Sequence, residues 1–369
     1  MGVKEQKEGS DEYEVRWFQR DDRHGILSLY ETEWDRRPTP DWFDWKYVDD
    51  PFLSHVPINV ATHGGEIVGT QAYVPARIRR GDRSVLALQP ADAMVHPDHR
   101  RKGLYTRITR SAIDRYEDGE PAFFFNFPNP GALSVQRDLG WSALDRVVTH
   151  YRVQRPAELL TPGDAGVGRR TLGRTMNAIA RGALGVVGAR RSSSDDSVEV
   201  DRYETVPAET LETLYETAPP RRFHVQRDSA FYRWWFADPA YEDTTYVASR
   251  DGEPVAAIVT RTRNGRKVKL MDALPAGPGE PAFGRLIATI VSDNADASVL
   301  AVSGSTLPSP LLSRFGFVPD EAPIVSRFRT PTEMAVRPLT SDSEADRLPV
   351  GELADGSNWR TTFTEQDRD

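Results

Sequence analysis

The sequence of 369 residues contains no cysteine. This absence excludes disulfide bonds, thiolate nucleophiles and cysteine-ligated zinc sites together. Long apolar runs are also absent, and the N-terminal residues lack the apolar core of a secretion signal. We therefore expect a cytoplasmic protein without a membrane-spanning segment.

Lysine is scarce. It occurs at six positions, so nearly all of the 47 basic residues are arginine, against 55 acidic residues and a net charge of −8. An acidic, lysine-poor surface is typical of halophilic proteins, such as those of haloarchaea, although a GC-rich genome also enriches arginine. The negative charge argues against a nucleic-acid partner. Nothing in the sequence indicates the oligomeric state.

Short segments of the sequence recur in the same order, between 176 and 189 residues apart. Five pairs match: residues 29–32 with 214–217, 42–52 with 231–241, 60–69 with 247–256, 91–94 with 271–274, and 133–141 with 310–317. Because several matches in one order are the signature of an internal repeat, the sequence predicts two copies of one domain. We place the domains at residues 11–155 and 198–335, a linker at 156–197 and a tail at 336–369.

Each copy has the patterns of an α+β domain. Alternating apolar segments separated by glycine turns predict antiparallel strands, and segments of helical spacing lie between them. The result is a mixed, mostly antiparallel sheet flanked by helices. The linker contains a basic pattern at residues 169–191 that predicts a weak amphipathic helix, packed across the seam between the copies. The polar C-terminal segment predicts a solvated tail, although its aromatic anchor would also allow it to fold back over a cleft.

The most informative segment joins a strand ending at Val95 to a helix beginning at Leu104. Three basic residues at 100–102 precede Gly103 in the loop. The first amides of a helix lack partners within the helix, and the helix dipole adds partial positive charge there. Phosphate groups bind at such an end, and a glycine lets them approach the main chain closely. The loop therefore predicts a diphosphate-binding site.

The pattern V-x-P-x-x-R-x-x-G at residues 95–103 resembles the acetyl-CoA signature of the GNAT superfamily of N-acyltransferases. The resemblance covers residues 13–155 and implies two GNAT-like domains in tandem, similar to enhanced-intracellular-survival type acetyltransferases. It implies acetyl-CoA as cosubstrate, no metal, and a small-molecule or peptide amine as acceptor. The residues that it assigns to acetyl-CoA are Met94, Val95, Arg100, Arg101, Lys102, Gly103, Leu104, Tyr105, Thr106 and Asn126.

The second copy lacks this loop chemistry. Its corresponding segment, residues 275–283, contains Glu280 and no basic residue. An acidic, proline-bearing loop does not bind a diphosphate in the same way. We therefore expect one acyl-CoA site, in the first copy, and a degenerate second copy that is kept for structure or for the acceptor site.

In the GNAT superfamily an amine attacks the thioester carbonyl directly, and the resemblance implies a backbone N–H near Met94 and Val95 as oxyanion donor. Asp92, on the same strand, is the candidate base, with Gln89 placed to orient a water molecule. Glu31 in the first helix is a second candidate. Both carboxylates recur in the second copy, as Asp272 and Glu216, and for Asp92 this recurrence favours a structural role.

One departure from the family keeps other functions open. Gln136 stands where the family commonly has a protonating tyrosine, which leaves the thiolate without an evident acid. A non-catalytic acyl-CoA-binding module is therefore one alternative. The other is an aminoacyl-tRNA-dependent transferase resembling the Fem ligases, although the intact loop counts against it.

Overall fold

The structure is a computed structural model that describes residues 13–117, 119–155, 198–276, 281–322, 332–339 and 349–367. The linker helix predicted from the sequence lies outside these residues. Within them, no helix combines the length and the apolar character needed to cross a membrane. The described chain forms two mixed β-sheets with helices packed against them.

The first sheet has eight strands in the order β1-β2-β3-β4-β5-β15-β6, with β9 paired to β3. They are β1 (Glu14–Trp17), β2 (Ile58–His63), β3 (Glu66–Arg80), β4 (Arg83–Val95), β5 (Phe123–Asn126), β6 (Ser142–Val147), β9 (His224–Val225) and β15 (Thr332–Pro338). The helices of this copy are α1 (Asp22–Trp34), α2 (Pro40–Tyr47), α3 (Leu104–Tyr116) and α4 (Pro130–Asp138). All pairings are antiparallel except β4 with β5.

The second sheet has seven strands in the order β14-β7-β13-β12-β11-β10-β8. They are β7 (Thr149–Val153), β8 (Glu199–Tyr203), β10 (Glu242–Arg250), β11 (Glu253–Thr262), β12 (Lys267–Leu274), β13 (Val299–Ser303) and β14 (Val318–Pro319). Its helices are α5 (Ala208–Thr217), α6 (Ser229–Trp235), α7 (Ala282–Asp293) and α8 (Ser309–Arg314). The parallel pair is β12 with β13, which matches β4 with β5 and confirms the predicted fold class.

The two sheets exchange one inner strand each. β7 belongs to the first copy in sequence, yet it lies antiparallel between β13 and β14 of the second sheet. β15 begins at the end of the second copy, yet it lies antiparallel between β5 and β6 of the first sheet. The predicted boundaries of 11–155 and 198–335 therefore mark sequence copies, whereas each sheet contains a strand from beyond its own copy.

A reciprocal contact between Trp45 and Trp234 relates the two copies. The indole Nε1 of Trp45 donates to the carbonyl of Trp234 at 2.6 Å, and the indole Nε1 of Trp234 donates to the carbonyl of Trp45 at 2.9 Å. Both residues come from matched segments of the repeat. Such a mutual exchange of bonds is what a two-fold relation between equivalent surfaces produces.

The core of the first copy lies on both faces of its sheet. β5 contains three consecutive phenylalanines, a pattern typical of a strand that is buried on both faces. Phe123 and Phe125 pack against Trp359 on one face, and Phe124 packs on the opposite face against Tyr116 of α3. The apolar side chains of α3, such as Ile108, Ala112 and Ile113, are buried, which fixes the helix against the sheet.

The prediction of a solvated C-terminal tail is wrong, because residues 359–366 are buried. This C-terminal segment contacts both copies: the Gln89 side-chain amide donates to the Glu365 carbonyl at 2.7 Å, and the Ser305 amide donates to the Thr361 carbonyl at 2.7 Å. The segment therefore lies between β4 of the first copy and β13 of the second.

A buried ionic cluster holds this segment in place. The Arg227 guanidinium lies 3.0 Å from Asp272 and 2.6 Å from Glu365, and all three side chains are fully buried. Burial alone would raise the pKa of Glu365, but Arg227 and the Thr362 hydroxyl lower it to about 2. Glu365 is therefore ionised at neutral pH, and its charge is matched by Arg227 within the protein.

We expect Arg227→Met to lower the free energy of unfolding by about 3–5 kcal/mol, because two carboxylates would remain buried without their main counter-charge. Urea denaturation measures the change. The control is Arg233→Met, which removes an exposed ion pair with Glu209 and should cost less than about 1 kcal/mol. Equal losses in the two variants would contradict the stabilising role of the cluster.

Candidate active site

The loop between β4 and α3 turns from strand into helix through two left-handed residues. A short turn at Pro97–His99 follows β4, and Arg101 and Gly103 adopt left-handed backbone conformations with φ of 62° and 72°. α3 begins at the next residue, Leu104. A Cβ atom on Gly103 would meet no atom within 4 Å, so the space beside this helix terminus is open.

The basic side chains around the loop are held by specific partners. Arg100 donates to the Val95 carbonyl at 3.1 Å and to the Glu33 carboxylate at 2.5 Å. Lys102 donates to the hydroxyl of Tyr13 at 2.6 Å. Sequence reasoning missed Glu33 and Tyr13, because neither belongs to the loop motif. Arg100 thus braces the loop, while the exposed Arg101 side chain borders the open space.

β4 and β5 separate beside this loop. Their pairing is confined to Leu88 opposite Phe124, and beyond it β4 continues to Val95 without β5. A bulge interrupts β4 where Asp92 adopts a φ of 46° and two residues stand opposite Gln71. Ala93 in the bulge is exposed. The opening gives a ligand access to the β4 main chain next to Met94.

Two buried amide oxygens near this opening have no partner within the described residues. Asn126, the last residue of β5, is 6% exposed and its Oδ1 is unpaired. Gln136 on α4 is 1% exposed; its Nε2 donates to the Tyr105 hydroxyl at 3.1 Å, while its Oε1 is unpaired. Unpaired buried acceptors are rare in folded proteins, and amide N–H groups of a ligand would satisfy them.

Local sequence features place both helices that carry site residues. Thr39 caps α2 by accepting from the Trp42 amide at 3.2 Å, and Asn129 caps α4 by accepting from the Ala132 amide at 2.9 Å. A proline follows each cap at the first helical position, where its fixed φ favours the helix. Because the cap and the proline fix the residue at which each helix begins, they also fix the face of the helix on which Lys46 or Gln136 lies.

Asp92 is held by a lysine that the sequence did not single out. Its Oδ2 accepts from Lys46 Nζ at 2.6 Å and from the Tyr47 hydroxyl, which in turn contacts the Tyr30 hydroxyl at 3.1 Å. Lys46 also lies 2.9 Å from Asp367. Burial alone would raise the pKa of Asp92, but the lysine charge and these hydrogen bonds lower it.

A cavity of about 190 Å³ adjoins this carboxylate. Its walls combine aromatic rings with carboxylates from both copies and from the C-terminal segment: Tyr30, Trp34, Arg36, Trp42, Trp45, Lys46, Asp92, Asp238 and Asp367. The Lys46 ammonium already lies 5.1 Å from the Trp42 ring centroid. Carboxylates and aromatic faces together suit a primary ammonium group.

The other two predicted catalytic residues lie in different places. Gln89 clamps the C-terminal segment, since its Oε1 also accepts from the Asp367 amide at 2.9 Å. Glu31 is on the exposed face of α1, where its carboxylate is 3.3 Å from Arg37. The structure therefore brings Gln89 close to Asp92 through Asp367, but it does not bring Glu31 into the cavity.

The equivalent carboxylate of the second copy has a different environment. Asp272 is fully buried against Arg227, whereas the Asp92 side chain remains 19% exposed. Part of the corresponding loop, residues 277–280, lies outside the described residues. In the described ranges no group of three or more histidine or carboxylate side chains could hold a metal ion.

Comparisons with known proteins agree with this geometry. The model of the family described as acetyltransferase (GNAT) domain matches residues 14–144. Residues 14–144 are therefore a GNAT acetyltransferase domain, the segment that contains the loop and the β4–β5 opening. No curated protein matches the chain at a significant level.

Solved structures show the fold of the remainder. A GCN5-related N-acetyltransferase from Anabaena variabilis has a TM-score of 0.59 at 10% identity, over 89% of this chain and 73% of that one. Eis1 from Mycobacterium abscessus has a TM-score of 0.51 at 15% identity, over 91% and 76%. A tandem GNAT protein from the clavulanic acid biosynthesis pathway has a TM-score of 0.53 at 11% identity, over 89% and 99%. The chain thus has a tandem GNAT fold.

We expect Lys46→Met to leave Asp92 and Asp367 partly buried without their shared cation and to raise the pKa of Asp92. The variant should lose several kcal/mol of stability near pH 7, at the order of magnitude known for broken buried pairs. The loss should shrink toward pH 4, because Asp92 with a raised pKa is already protonated there and is no longer a buried charge. In the wild-type protein, the stability that ionised Asp92 contributes is lost as the pH falls through its lowered pKa.

Urea denaturation at several pH values tests this expectation. Lys102→Met, which removes an exposed lysine beside Tyr13, is the matched control and should change stability little at any pH. A loss in Lys46→Met that does not depend on pH would count against an electrostatic origin.

Proposed function

We propose that this protein is an N-acyltransferase that moves an acetyl group from acetyl-CoA to an amine, with its acyl-CoA site in the first copy. The observation that carries the proposal is the open strand-to-helix crossing at Gly103 beside the separated strands β4 and β5. The match of residues 14–144 to the acetyltransferase (GNAT) domain supports it, because that segment contains both features.

The diphosphate of the cosubstrate would bind at the start of α3. The main-chain amides of Gly103, Leu104, Tyr105 and Thr106 lie at the helix terminus, where amides lack helical partners. Arg101 and Lys102 would add positive charge, while Arg100 holds the loop to Glu33. The pantetheine arm would enter between β4 and β5, where the unpaired Asn126 Oδ1 can accept from one of its amides.

The chemistry would take place beside the β4 bulge. The amine nitrogen attacks the thioester carbonyl, a C–N bond forms, and the C–S bond breaks to release the thiolate. A backbone N–H near Met94 and Val95 would stabilise the oxyanion. The nitrogen must also lose a proton, which Asp92 would accept through water, since its lowered pKa keeps it ionised but makes it a weak base.

The second copy offers a physical reason for a single site. Where β12 and β13 separate, the C-terminal segment already contacts both strand ends: Gln366 Nε2 lies 2.6 Å from Ser303 Oγ and Arg360 lies 3.4 Å from the Ala273 carbonyl. The Thr361 carbonyl lies so close to Gly304 that a Cβ there would approach it to 2.2 Å. The protein's own chain therefore fills the groove that a second pantetheine arm would need.

Isothermal titration should find one acetyl-CoA site per chain. Gly103→Glu should abolish binding or weaken it at least about 100-fold, because it places a carboxylate against the diphosphate. Gly284→Glu is the matched control: it adds the same charge in the first turn of α7, where a Cβ meets no atom within 4 Å. Two equal sites, or loss of binding in both variants, would refute the location of the site.

Turnover separates an enzyme from a binding module. Release of free thiol from acetyl-CoA, measured over a panel of primary amines, should fall about 10²- to 10⁴-fold in Asp92→Asn, since general acid–base catalysis contributes that much. Binding of acetyl-CoA should be retained in the same variant, which shows that it folds. Glu31→Gln should change the rate less than about twofold, because that carboxylate is outside the cavity.

Binding of acetyl-CoA without thiol release for any amine would favour the non-catalytic alternative. Thiol release that survives in Asp92→Asn but not in Glu31→Gln would reverse the assignment of the base.

A further inference from the structure

A second and larger cavity lies between the two copies. Its volume of about 520 Å³ is within the range of about 300–1,000 Å³ found for small-molecule sites. Its walls come from the crossing between β6 and β7, from the end of β13, from α8 and from the start of the C-terminal segment. None of its lining residues also lines the smaller cavity at Asp92.

Two buried nitrogen atoms of residues that line this cavity have no partner in the described part of the chain. His150 is 6% exposed, and its Nδ1 is unpaired. Arg146 NH2 lies 2.8 Å from the Asp320 carboxylate in an ion pair, and its NH1 donates to Glu321 at 3.3 Å, but its buried Nε is unpaired. A guanidinium Nε can act only as a donor, so its missing partner must be an acceptor.

Further donors surround these two. Arg222 lines the cavity, and no carboxylate in the described ranges pairs with its guanidinium. Ser305, Ser309 and Ser313 contribute hydroxyls from the end of β13 and from one face of α8. Asp145 is the acidic residue among the lining residues, and it is exposed. The charged side chains of the lining are thus two arginines and one exposed aspartate.

Most of the remaining walls are apolar. They consist of Leu144, Val147, Val148, Pro319, Met334 and Trp359. Apolar walls with a few convergent donors are the usual construction of a small-ligand site. A ligand that fits both parts has an apolar body and an oxyanion head, since a carboxylate accepts several hydrogen bonds and pairs with arginine.

We propose that this cavity is a binding site for a small organic carboxylate, held by Arg222, Arg146 and His150, with its apolar part against Trp359 and Met334. The site is distinct from the proposed acyl-CoA site and does not depend on acyl transfer. Burial lowers the pKa of His150, which therefore meets the ligand as a neutral imidazole at neutral pH, with Asp320 partly opposing the shift.

Calorimetric titration of the full chain with benzoate tests the proposal, with benzamide as the uncharged ligand of the same shape. Benzoate should bind at one site, and Arg222→Ala should weaken it at least about tenfold. Arg221→Ala removes the same charge from the neighbouring exposed arginine, which does not line the cavity, and should weaken it less than about twofold.

A filling variant locates the ligand independently. Ser309 is exposed on α8 and lines the cavity. Because its side chain is not part of the packed core, Ser309→Trp should preserve the fold. The indole should occupy the cavity and abolish benzoate binding. Saturating acetyl-CoA should leave the affinity for benzoate unchanged, because the two sites share no residue.

Four results would overturn the proposal. One is the absence of benzoate binding up to about 10 mM. Another is equal weakening by Arg221→Ala and Arg222→Ala, which would indicate an effect of net charge. The third is competition with acetyl-CoA, which would place benzoate in the first copy. The fourth is tighter binding of benzamide or of phenyl phosphate, which would replace the carboxylate by a different ligand class.

Discussion

Each sheet of this protein is completed by a strand that the chain supplies from beyond the matching copy. β15 lies between β5 and β6, and β7 lies between β13 and β14. An inner strand satisfies the backbone groups of two neighbours, so its loss would leave both with unpaired edges. Asn126, at the end of β5, stands opposite Ala335 of β15. The opening proposed for acyl-CoA is therefore built with residues from the far end of the chain.

The repeat preserves one carboxylate in two opposite settings. Asp272 is sealed against Arg227 and the C-terminal segment, where it stabilises the fold and meets no solvent. Asp92 is paired with Lys46 but remains partly exposed beside a cavity. The C-terminal segment takes part in both settings, because Glu365 pairs with Arg227 beside Asp272 and Asp367 pairs with Lys46 beside Asp92. A duplicated residue thus became structural on one side and accessible on the other.

The sequence pattern predicted the features that depend on residues close together along the chain. The repeat, the mixed sheets and the start of α3 at Leu104 all follow from spacing and from the glycine and proline positions. The exchange of strands between the sheets does not follow from the sequence. An alternating segment such as β7 predicts a strand, but it does not indicate which strand it pairs with. The burial of the C-terminal segment was missed for a similar reason: its polar residues are matched by Arg227, more than a hundred residues away. Lys46 is not singled out by the sequence, since its carboxylate partners are distant from it along the chain.

The exchange of β7 and β15 also has a consequence for synthesis. A chain emerging from the ribosome folds its N-terminal part first where that part is self-sufficient. Here the first sheet lacks an inner strand until residues 332–338 have been made, and the gap between β5 and β15 is more than two hundred residues long. Contacts so far apart in sequence slow the search for the native state. The nascent first copy must therefore wait, with an open sheet edge, until the residues of β15 have left the tunnel.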